Sequence, residues 1–123
     1  MKARYLVVAC LAGMSAPAVA QIKNGAQATA VFERIRNTPA ELKLYCEQLK
    51  LKRDSTQASR KGDAATASTL GRRIAEINTS LPGYRDAVAF VSSKSPTPVY
   101  FKTNEGKELD AAQKNLADAC PAK

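Results

Sequence analysis

The sequence predicts an all-α fold: a small helical bundle built on a long α-hairpin over about residues 39–80, closed by one disulfide. Three observations carry this expectation. Apolar residues recur at spacings of three and four along most of the chain. Proline and glycine punctuate it at Thr38-Pro39, Gly62-Asp63 and Pro82-Gly83, where helices would start or stop. Two cysteines, Cys46 and Cys120, fall on the apolar faces of two of those helices.

The first twenty residues read as a leader and not as part of the fold. Met1-Lys2-Ala3-Arg4 is a short basic start, Tyr5 to Met14 runs without a charge, and Ala18-Val19-Ala20 supplies small residues for cleavage after Ala20. The apolar run is about half the roughly 20 residues that span a bilayer. A lipid-modified Cys10 is the weaker reading, because the apolar stretch before it is too short for a leader. Cleavage leaves residues 21–123 and removes Cys10, Lys2 and Arg4, so the formal charge falls from +8 to +6. The organisation expected is then a signal peptide at 1–20, an N-terminal segment with a short helix at 21–37, and a helical domain at 38–123.

Residues 21–26 read as a flexible start. Val31, Phe32 and Ile35 share one helical face over 27–36, and Asn37 ends that helix. Thr38-Pro39-Ala40-Glu41 then predicts a capping box. Thr38 would hold the free amides, Pro39 would occupy a first-turn position that needs no donor, and Glu41 would reach back. The helix that follows, 39–60, carries two stripes. Leu42, Tyr45, Cys46 and Leu49 form one; Leu44, Leu51 and Ala58 form another on the opposite side. Apolar residues on two sides predict a helix sandwiched in the fold or covered by a partner, so Leu44 and Leu51 are candidate binding residues if left uncovered.

Gly62 suits a left-handed helix end and Asp63 an N-cap. The helix predicted over 64–80 has a seam of Ala67, Leu70, Ile74, Ile77 and Leu81, flanked by a ridge of small residues: Ala64, Ser68, Gly71 and Ala75. The ridge would admit a closely packed neighbour. Tyr84, Ala87, Val88 and Val91 predict a further helix after Pro82-Gly83. Residues 92–98 read as a loop, and Val99-Tyr100-Phe101 as an extended piece or an apolar plug. A last helix over 105–119 places Leu109, Ala112 and Leu116 on one face, with Cys120 at its end and Pro121 as its stop.

Two cysteines in an exported chain pair most simply with each other. A Cys46–Cys120 bridge would enclose 73 residues, which in a chain-entropy account is worth about 4 kcal/mol. Two cysteines at this separation are neither a redox CxxC nor a zinc set.

The chain contains no histidine. That removes imidazole-based nucleophile activation, histidine-ligated metals and c-type haem attachment. No phosphate loop, dinucleotide fingerprint or calcium loop is present, so no cofactor is expected. Glu105 with Glu108, and Glu47 with Asp54, are the available carboxylate pairs. They are interleaved with basic residues as Lys43–Glu47, Lys50–Asp54 and Arg72–Glu76, the pattern of a solvated helix face. The cations Lys50, Lys52, Arg53, Arg60 and Lys61 gather toward the end of the first long helix, with Arg72 and Arg73 on the next. Arg60 and Lys61 would stand at the hairpin tip as candidate binding residues. The leader makes nucleic acid an improbable partner for this charge. The expected function is a periplasmic or secreted, non-enzymatic helical protein that binds another envelope protein. The alternative is a binder of anionic lipid or polymer at an envelope surface.

Overall fold

A computed structural model describes residues 22–121, so the leader, its cleavage site and Cys10 lie outside the described residues. Those residues form five α-helices and one 3-10 helix, with no strand among them. In chain order they are α1 (Gly25–Asn37), α2 (Pro39–Arg60), α3 (Ala64–Ser80), α4 (Tyr84–Lys94), the 3-10 helix Pro98–Lys102, and α5 (Asn104–Asp118). The all-α hairpin bundle expected from the sequence is the observed architecture.

Helix α1 starts two residues earlier than its apolar stripe indicates. Asn24 caps it, accepting a bond of 2.9 Å from the Gln27 amide. The start is held from across the fold as well. The Glu105 carboxylate on α5 accepts from the Gly25 amide at 2.8 Å and from the Tyr100 hydroxyl at 2.8 Å. Glu105 thereby neutralises the partly positive end of α1. Residues 25–37 share one core with the rest of the chain. Ala28, Val31, Phe32 and Ile35 are buried against Leu109, Ala112 and Leu116 of α5 and Tyr84 and Ala87 of α4.

The boundary between α1 and α2 corrects the capping box. Pro39 opens α2, but Thr38 makes no side-chain cap to it. Its hydroxyl instead donates to the Arg34 carbonyl at 2.7 Å. Thr38 ends α1 and begins α2 at once, and its one hydroxyl is taken by a carbonyl that α1 leaves free. Glu41 is likewise taken by Arg34 at 2.9 Å, and the Arg34 guanidinium also donates to the Pro82 carbonyl at 2.7 Å. One arginine therefore joins α1, the first turn of α2 and the α3–α4 connection.

The hairpin turn follows its sequence signals. Gly62 adopts φ 80°, open only to a residue without a Cβ clash. The Asp63 amide donates to the Ala58 carbonyl at 2.9 Å and the Gly62 amide to the Ser59 carbonyl at 3.1 Å, closing α2 with a Schellman motif. The Asp63 side chain then caps α3 through the Thr66 amide at 3.1 Å.

Cys46 and Cys120 are bonded, with Cα atoms 5.4 Å apart. The bridge ties the middle of α2 to the residue just past α5. Two packing expectations need correction, and one open alternative is decided. The small ridge Ala64, Ser68, Gly71 and Ala75 is exposed and carries no neighbouring helix. A Cβ added at Gly71 would meet nothing within 4 Å. On α4 the buried positions are Tyr84 and Ala87, while Val88 is 36% exposed. The helix lies against α1 with the Ala87 side inward, which turns Val88 out. Finally, Val99-Tyr100-Phe101 forms the 3-10 turn: Tyr100 and Phe101 pack on the core, whereas Val99 points out, 64% exposed.

Candidate functional site

The hairpin divides near residue 50. Below it, Tyr45, Gln48, Ile77 and Leu81 are buried with the rest of the core. Between residues 50 and 73, Ala58 is the only buried residue. This arm extends past the core as two helices that cover mainly each other. It carries seven cations, Lys50, Lys52, Arg53, Arg60, Lys61, Arg72 and Arg73, against two carboxylates, Asp54 and Asp63. The remainder of residues 21–123 is almost balanced, with ten basic and nine acidic side chains.

The candidate residues separate on this geometry. Arg60 and Lys61 are exposed at the arm's end, next to the turn. Leu44 and Leu51 are half-buried and packed against the core cluster. They share a helical face with Gln48 and Ala58, all within about 40° of Leu44 at 100° per residue. That face is turned toward α3, because the fully buried Gln48 donates from its amide to Asn78 Oδ1. The second apolar stripe of α2 is thus mostly the inner seam of the hairpin.

Of the three i,i+4 pairs expected from the sequence, Lys43–Glu47, Lys50–Asp54 and Arg72–Glu76, only one forms. Lys50 does hold Asp54 at 3.1 Å. Glu47 is drawn across the hairpin by Arg73, with bonds of 2.9 and 3.1 Å, and Arg73 also holds Glu76 at 3.3 Å. Antiparallel helices bring Glu47 and Arg73 face to face, and a two-pronged guanidinium contact outcompetes Lys43 along the helix. Lys52, Arg53, Arg60, Lys61 and Arg72 pair with no carboxylate among the described residues.

The carboxylates considered for acid–base work are placed as follows. Glu47 is bonded to Arg73, which holds its carboxyl below the usual carboxylate range. Glu105 is lowered too, first by the Tyr100 hydroxyl and then by the Gly25 amide. Both shifts run opposite to what a proton-donating acid requires. Asp54 sits against Lys50, and Glu108 is exposed on α5. The four are not gathered in one cleft. Among the described residues no set of three or more Cys, Asp or Glu side chains could hold a metal.

A further surface escaped the sequence reading. Lys43, Lys50, Arg53, Gln57 and Arg60 lie on the face of α2 centred on Cys46, opposite the seam. They span a strip about 100° wide and roughly 25 Å long. Beside the disulfide this strip opens into a hollow of about 350 Å³, lined by Lys43, Cys46, Glu47, Leu49, Lys50, Arg53, Cys120 and Pro121. Farther out, Arg53, Thr56, Gln57 and Arg60 border a second shallow hollow. Helical angles alone would have aligned the four cations. The hollow arises only when the chain end is brought to α2 by the bridge.

No protein-family model matches this chain, and neither a curated protein nor a solved structure matches it. Among the described residues no helix is long and apolar enough to cross a membrane.

Proposed function

We propose that this protein is a small, exported, non-enzymatic binding protein that engages another protein of the cell envelope through the basic arm of its hairpin. The observation that supports this is the placement of charge. Nearly all the net positive charge of residues 21–123 lies on residues 50–73, the stretch that contributes least to the core. Cations confined to one element are a directional feature: they steer an acidic partner to that element and set its orientation. The disulfide and the leader-like first twenty residues support an oxidising compartment outside the cytoplasm.

The test is a photo-activated crosslinker placed at Lys61, with a control at Val99, in cells of the source organism. The expected result is a discrete adduct from position 61 that weakens when salt is raised during irradiation, and none from position 99. No adduct at 61, or equal adducts at both positions, would count against the arm.

A second reading, attachment to an anionic envelope surface, has its own support. Lys52 lies on a different side of α2 from Arg53 and Arg60, and Arg72 lies on the side of α3 away from the seam, so charge surrounds the arm. Sedimentation with phosphatidylglycerol vesicles at low salt, lost at high salt, would favour this reading over a protein partner.

A further inference from the structure

The geometry points to the hollow beside the disulfide as a docking site for an acidic amphipathic helix of a partner protein, with one large apolar side chain seated between the cations. The inference rests on the binding role proposed above and names the chemistry of the partner at a place other than the arm's tip.

The hollow has the anatomy of an interface centre. Its floor is apolar, made of Leu49, the Cys46–Cys120 bridge and Pro121. Lys43, Lys50 and Arg53 stand around that floor. A desolvated apolar anchor inside a charged rim is the arrangement in which a few residues supply most of a complex's affinity. The one carboxylate bordering the hollow, Glu47, is held by Arg73 at 2.9 and 3.1 Å, which leaves the rim's charge positive. Asp54 occupies Lys50 at 3.1 Å through an exposed pair, a contact weak enough to yield to a better placed anion.

Size favours a peptide side chain over a lipid tail. About 350 Å³ of open, shallow space admits a leucine or phenylalanine with room at its rim, and does not enclose a long acyl chain. Spacing adds the register. Lys43, Lys50 and Arg53 lie seven and three residues apart on one helix face, and a partner helix lying alongside would meet them with carboxylates at the same intervals.

The probe is a fluorescein-labelled, end-blocked helical peptide of alanine and glutamine with glutamates at positions 3, 10 and 13 and a leucine at position 6. Its binding to the oxidised full chain is read by fluorescence anisotropy at low salt. Saturable binding is expected, and replacing the peptide leucine by serine should weaken it about tenfold. On the protein, Leu49→Glu and the surface variant Lys50→Glu should each weaken it similarly, with helix content and melting checked by circular dichroism. The control Lys107→Glu, exposed near the start of α5 and away from Cys120, should retain most of it. Equal binding of the leucine and serine peptides, no binding at all, or indifference to Lys50→Glu would overturn the site. So would a dimer of this chain that Lys50→Glu dissociates, since the occupant would then be a second copy. If the probe fails while the Lys61 crosslink persists, the hollow is wrong and the arm reading stands. If the crosslink is absent, that reading fails on its own terms.

Discussion

In the base of the molecule, all five α-helices close over Phe32, Ile35, Ile77, Leu109 and Leu116, each at most 2% exposed. In the arm of the hairpin, residues 50–73 bury a single alanine, Ala58. The base is nearly neutral and the arm strongly basic. Both regions use the same two helices, so the difference is not one of local helix propensity. The base is held by apolar packing, a disulfide and the Arg34 and Glu105 contacts. The arm is held by helix continuity, a Schellman turn and the Asp63 cap. Side chains outside the packed core carry charge without a desolvation cost, so the charge and the core occupy different ends of one hairpin.

Truncation should separate the two regions most strongly. Leu109→Ala, at a position with no exposure, should cost about 3 kcal/mol and lower the melting temperature by roughly 15 °C. Leu70→Ala in the arm, half-exposed, should cost about 1 kcal/mol. Equal losses in urea melts would erase the distinction between core and arm.

Alkaline titration should act only on the base. Burial, and secondarily Tyr84, pushes the Tyr45 hydroxyl up to about 12. A folded state that resists ionisation keeps its full stability below the unfolded value, near 10, and loses it as pH rises toward 12. The expected loss is about 2 kcal/mol between pH 9 and 12. Denaturant midpoints measured across that window should fall, and Tyr45→Phe should flatten part of the fall. A flat profile in the parent protein would mean that Tyr45 is hydrated in the fold.

Two glycines sharpen the comparison at smaller scale. Gly106 in the base sits against the Tyr100 backbone, and a Cβ there would lie 2.7 Å from Phe101 Cα. Gly106→Ala should therefore cost about 2 kcal/mol. Gly71 in the arm is helical, exposed and surrounded by open space. Gly71→Ala should raise stability by about 0.5–1 kcal/mol, because it removes backbone freedom from the unfolded chain without a clash. A destabilised Gly71→Ala protein would show that something covers the small ridge in solution.

Much of the fold was legible in the sequence because its signals are local. Pro39, Gly62 and Asp63 act within one turn of their own positions, and the two ends of α2 and the start of α3 follow from them. The Cys46–Cys120 pairing followed from there being only two cysteines beyond the leader, and the two apolar stripes that carry them agreed with it. What was not legible depends on partners distant in the chain. Thr38 lost its cap to Arg34, Glu47 was taken by Arg73, and Val88 turned outward because α4 presents Ala87 to α1. The surface was half legible for the same reason. Arg60 and Lys61 mark the tip by their place beside Gly62. The hollow at Leu49 needs Cys120 and Pro121, which lie more than seventy residues away.

We propose a division of labour in which the arm binds and the base stabilises. Its most direct test is the Lys61-region crosslink measured in a protein carrying Arg53→Glu, Arg60→Glu and Arg72→Glu, set against the melting temperature of that same protein. The expected result is a melting temperature within a few degrees of the parent and loss of the adduct. An adduct that survives reversal of all three charges would contradict it.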